Sequence, residues 1–132
     1  GRRIAMCNIP LLLMQIGDSE IAPAGFSYTP SYLISPENAS AVSGGMLHLE
    51  GYAHPYNIDP VIIDLINEDG TIIITQIVPI HSVGDANYMY FSADIPYSVS
   101  TATPVRLTIR QMMNHPPYLD LGLSSITLIL KP

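Results

Sequence analysis

Val61-Ile-Ile-Asp-Leu-Ile66, then Asn67-Glu-Asp-Gly70, then Thr71-Ile-Ile-Ile-Thr-Gln-Ile-Val78: two apolar runs of strand length meet across a four-residue turn. Gly70 can take a positive φ without a Cβ penalty, and Asn and Asp side chains hydrogen-bond their own backbone. The stretch therefore predicts a β-hairpin. The run Ile72-Ile73-Ile74 has no polar face and predicts a strand covered on both sides.

Outward from the hairpin the same signals recur. Residues 31–34, 46–52, 88–95, 105–112 and 124–130 join 61–66 and 71–78 as runs rich in Ile, Val, Leu, Thr and Tyr. Alternation assigns their faces. Leu47 and Leu49 point inward against His48 and Glu50. Met89, Phe91, Ala93 and Ile95 lie opposite Tyr90, Ser92 and Asp94. Val105, Leu107 and Ile109 face in against Arg106, Thr108 and Arg110, and Ile126, Leu128 and Leu130 share a face. No window keeps a helical period, because 12 prolines and 9 glycines cut the chain into short pieces. About seven short strands between Pro/Gly turns predict an all-β fold, an antiparallel β-sandwich.

The 132 residues suffice for one domain with a core. Two parts are expected: an apolar extension and linker over 1–31, and the sandwich over 32–132. Charged residues are only 12% of the chain, about half the usual share. Such a surface, covered by neutral polar side chains and Tyr, suits an extracellular or cell-surface protein and subunits that pack against one another. The net charge is −6 with five basic residues, which leaves no patch to neutralise a phosphate backbone and disfavours nucleic acid.

Residues 4–16, Ile4-Ala-Met-Cys-Asn-Ile-Pro-Leu-Leu-Leu-Met-Gln-Ile16, are almost all apolar. Thirteen residues are too short for a membrane span, which needs about 20. Arg2-Arg3 and Ala22-Pro23-Ala24 give this end some likeness to a secretory signal, but Asn8 and Pro10 interrupt the apolar run, and the segment reads as part of the mature chain. Ile4, Ile9, Leu11, Leu13 and Ile16 offer large side chains to a sheet. The linker from Gly17 to Pro30 can carry them to the chain's own sandwich or to the open edge of a neighbouring copy. Pro10 restricts the segment to an edge in either case. The single Cys7 cannot form an internal disulfide and reads as a small buried hydrophobe.

Catalytic chemistry finds no pattern. His48, His54, His81 and His115 form no metal-ligand spacing, and no G-x-S-x-G occurs. No metal, cofactor or enzymatic role is expected. Glu68-Asp69 serves the turn. Asn38-Ala39-Ser40 fits a glycosylation sequon. Among the eight tyrosines, Tyr52, Tyr88 and Tyr90 fall on strands, and Tyr56 and Tyr118 fall in loops where they offer contacts to a ligand.

The residues Ile34-Ser35-Pro36, Leu47-His-Leu-Glu-Gly51-Tyr-Ala53, Asp64-Leu-Ile-Asn-Glu-Asp-Gly70, Phe91-Ser-Ala-Asp-Ile-Pro96 and Val105-Arg-Leu-Thr-Ile109 together resemble the immunoglobulin-like domain of bacterial spore-germination and surface proteins. The similarity spans about residues 32–130. Where that family often has Phe-Glu, this chain has His54-Pro55-Tyr56. The resemblance implies an extracytoplasmic, non-catalytic β-sandwich module and no particular ligand. The resulting expectation is a structural subunit that assembles with other copies of itself into a filament by donating residues 4–16. The alternative is an adhesion module for a cell-wall glycan or surface protein.

Overall fold

A computed structural model describes residues 31–54, 59–83, 88–112 and 120–132. The N-terminal segment with Ile4, Cys7, Ile9, Leu11, Leu13 and Ile16, and Tyr56, His115 and Tyr118, lie outside the described residues. The described chain is all β: β1 (Ser31–Ser35), β2 (Ser40–Val42), β3 (Met46–Ala53), β4 (Val61–Asn67), β5 (Ile72–Val78), β6 (His81–Ser82), β7 (Met89–Pro96), β8 (Thr103–Met112) and β9 (Asp120–Leu130).

Two sheets pack face to face, one in the order β1-β3-β7-β6 and the other β2-β9-β8-β4-β5. With β1, β3, β7 and β6 read as A, B, E and D, and β9, β8 and β4 as G, F and C, this is the immunoglobulin arrangement. All seven runs picked out by pattern are strands. β2 and β6 are additional, too short to carry a periodicity. One pairing departs from the antiparallel rule: β2 runs parallel to β9, with Ser40, Ala41 and Val42 opposite Leu128, Ile129 and Leu130.

The core is built from the inward phases the alternation assigned. Leu47, Leu49, Phe91 and Ile95 from the four-stranded sheet meet Val61, Ile63, Leu65, Leu107, Ile109, Leu128 and Leu130 from the other. Twelve large side chains are buried to within 2% of completely. Each stabilises by roughly 1.5–3 kcal/mol before ordering costs. The β4–β5 hairpin forms as its turn residues require. The Asn67 carbonyl accepts from the Gly70 N–H at 3.0 Å, and the Asp69 carboxylate accepts from the Thr71 N–H at 2.9 Å. Gly70 sits at φ 86°.

Gly51 meets a different demand. A Cβ there would lie 2.5 Å from the Tyr32 carbonyl oxygen and 2.8 Å from the Phe91 ring, so only glycine lets β1 close over that ring. Asn38 of the sequon holds the β2–β9 junction: its side-chain oxygen accepts from the Thr127 N–H at 3.0 Å and the Thr127 hydroxyl at 3.2 Å. Tyr97, just past β7, seals the same end by donating to the carbonyls of Val42 and Lys131.

Candidate functional site

Two places on this frame offer chemistry beyond folding. The first is the flank where β5 and β7 come together. β3 pairs with all eight residues of β7, but β6 reaches only Met89 and Tyr90. Among the described residues, 91–96 therefore have a strand on one side only. β5 is likewise bonded to β4 alone. Cα atoms of β5 and β7 approach within 8 Å, so the two edges lie side by side on one flank of the sandwich. Ile74 and Ala93, packed against the core, are only partly buried there.

Ile72 and Ile73 are 51% and 41% exposed, and Ile77 is 65% exposed. The expectation that the isoleucine run is covered on both faces is corrected: β5 is an edge strand, and a bulge between Leu65 and Ile66 pairs Ile66 with Ile72. A row of unpaired backbone groups beside exposed isoleucine is a template for another strand.

The second place is the outward face of the four-stranded sheet. Register puts Tyr32, Tyr52 and Tyr90 in one row across β1, β3 and β7, with His81 of β6 at its end. The Tyr52 and Tyr90 rings meet edge to face, centroids 5.7 Å apart and planes at 67°. In the next row the Glu50 carboxylate accepts from the Tyr90 hydroxyl at 3.0 Å. Beyond it, His48 Nδ1 and the Asp94 carboxylate stand 2.7 Å apart on the exposed surface. Tyr88 packs edge-on to His54. Alternation along β3 and β7 separates these residues from the core; their clustering comes from register, which periodicity does not carry.

The outward face of the five-stranded sheet holds a third cluster, and here an expectation fails. Thr108 and Arg110 point away from the core as alternation assigned, yet both are buried. Arg110 Nε donates to Asp64 at 2.8 Å, and an Nη donates to Asp120 at 3.3 Å. Asp64 also accepts from the Thr75 hydroxyl. Burial pulls the guanidinium pKa down, but hydrogen bonding and charge from Asp64, then Asp120, outweigh it and leave the pKa above the ordinary arginine value. A guanidinium whose charge is met by two carboxylates serves as structure.

Among the described residues no group of three or more His, Cys, Asp or Glu side chains could hold a metal ion. No helix among them is long and apolar enough to cross a membrane.

No protein-family model and no curated protein sequence matches the chain. Among solved structures, it is similar to the crystal structure of an engineered protein from a structural genomics consortium, at 12% identity and a TM-score of 0.48. That match covers 76% of this chain and 19% of the other.

Proposed function

We propose that this chain is a non-catalytic structural subunit of the extracellular space or cell surface, which assembles with other copies of itself into a filament. Each copy donates residues 4–16 to one of the open edges on this flank of the next, that of β5 or that of β7. The observation that carries the reading is the pair of open edges there: six residues of β7 and seven of β5, bordered by partly exposed Ile72, Ile74 and Ala93. Residues 31–132 supply both sheets and a packed core. The apolar run of 4–16 then has strand length and side chains suited to a neighbour's edge. Backbone hydrogen bonds would give affinity and side-chain pockets register. A head-to-tail contact of this kind does not close on itself and propagates as a fibre.

The test compares the full chain with one lacking residues 1–16 by light scattering and negative-stain microscopy. Polymers from the first and monomers from the second are expected. Introducing Ile72→Lys with Ile73→Lys should leave the monomer folded and stop polymerisation at the acceptor side. A full-length chain that stays monomeric at every concentration refutes the proposal.

A second reading, an adhesion module for a cell-wall glycan or surface protein, is favoured by the tyrosine row on the outward face of the four-stranded sheet. Capture of such a partner by the full chain, lost on Tyr32→Ala or Tyr52→Ala with the mass unchanged, would support it.

A further inference from the structure

We propose that the corner formed by Tyr52, Tyr90 and Glu50, with Tyr32 next in the same row, binds a quaternary ammonium group. The argument begins with ring geometry. Tyr52 and Tyr90 stand at 67° to each other with centroids 5.7 Å apart, so two π-systems meet at an angle rather than as a flat stack. Tyr32 faces Tyr52 across β1 and β3 and is 60% exposed. The faces of aromatic rings carry negative potential and attract a cation lodged against them.

Charge points the same way. Glu50 lies two residues from Tyr52 on the same face of β3, and Asp94 lies further along that face. Arg106 and Arg110 belong to β8 in the other sheet, and Lys131 follows β9. Aromatic rings beside carboxylates, with no arginine or lysine among the described residues of this sheet, make a surface complementary to a cation.

The kind of cation follows from hydration. Glu50 accepts from the Tyr90 hydroxyl at 3.0 Å and Asp94 is paired with His48 at 2.7 Å, and both carboxylates place negative charge on the face that carries the rings. A primary ammonium is compact and strongly hydrated, so an open face of rings gains little by stripping its water. A trimethylammonium group has no N–H to leave without a partner and needs only ring faces and a nearby negative charge. His48, Ser92 and Asp94 share this face with Met46, which is 49% exposed. The ligand proposed is a soluble or polymer-borne quaternary ammonium, and a lipid headgroup is the outcome that the vesicle experiment separates from it. The site is independent of strand donation, since the side chains named point away from the core.

The experiment titrates the full chain with choline chloride at constant ionic strength, following tyrosine ring resonances by NMR. Saturable shifts are expected with a dissociation constant on the order of 1–10 mM. The neutral isostere 3,3-dimethylbutan-1-ol should produce at least tenfold weaker shifts. Tyr52→Phe keeps the ring and should keep binding, whereas Tyr52→Ala should weaken it at least tenfold; Glu50→Gln should weaken it about threefold or more. No saturation by about 50 mM choline, equal binding of the isostere, or an unchanged constant for Tyr52→Ala overturns the proposal. Cosedimentation with phosphatidylcholine vesicles, without response to free choline, would also overturn it by making the ligand a bilayer.

Discussion

Replacing Arg110 with Ala tests the account of the five-stranded sheet most sharply. In the native chain its guanidinium is 8% exposed and bonded to Asp64 and Asp120, whose side chains are 5% and 13% exposed. Truncation leaves two nearly buried carboxylates with no cation between them; among the described residues Asp64 keeps the Thr75 hydroxyl. Breaking a buried pair from one side costs about 3–5 kcal/mol, because the stranded charge has lost its water and its partner. For a chain of 132 residues unfolding near 60 °C, that corresponds to a fall in Tm of about 10–20 °C. The assay is urea unfolding followed by far-UV circular dichroism and tyrosine fluorescence, the chain having no Trp. Asp120→Asn, at the longer and more exposed contact, should cost less than Asp64→Asn. The double variant Arg110→Met with Asp64→Leu should be milder than Arg110→Ala, since it removes the main pair together. A loss below about 1 kcal/mol for Arg110→Ala, the range of a surface pair, would refute the reasoning.

Two further outcomes follow from single contacts. Gly51→Ala should destabilise by about 1–3 kcal/mol or more, read as a lower urea midpoint at unchanged slope, because neither the Tyr32 carbonyl nor the Phe91 ring can retreat without unpacking β1. Hydrogen bonding from the Thr71 backbone holds the Asp69 carboxyl below its ordinary range, so its contribution to the turn is present above that range and is lost as pH falls through the lowered value. An NMR titration of the Asp69 carboxyl should give a midpoint below that of an unstructured aspartate; a midpoint at or above it would contradict the turn.

Most of the sandwich was legible because its information is local. The Asn67–Gly70 turn declares itself through residue chemistry, and Leu47, Leu49, Phe91, Leu107 and Leu128 announce their faces by alternation. What stayed hidden depends on neighbours. β2 has three residues and β6 two, below any period, and each exists only because β9 or β7 lies alongside. Isoleucine-rich sequence reads as covered in either setting, so the edge position of β5 was invisible until the strand order was known. Arg110 follows the outward phase of β8, yet Asp64 and Asp120 come from the two strands flanking it. The row of Tyr32, Tyr52 and Tyr90 is likewise a product of register across three strands. The residues proposed as the donated strand were picked from their own sequence alone.

The parallel pairing of β2 with β9 sets a schedule for the growing chain. Ser40 is made 88 residues before its partner Leu128, the difference of their numbers. At about 5–20 residues per second, the ribosome needs roughly 4–18 s to bring the second within reach of the first. During that interval β3, β4, β5 and β7 already exist, whereas β8 and the early β2 both lack the strand that lies between them. β9 is thus the strand that closes the five-stranded sheet. A stalled or truncated chain ending before Asp120 would carry an exposed β8 edge in place of a finished domain.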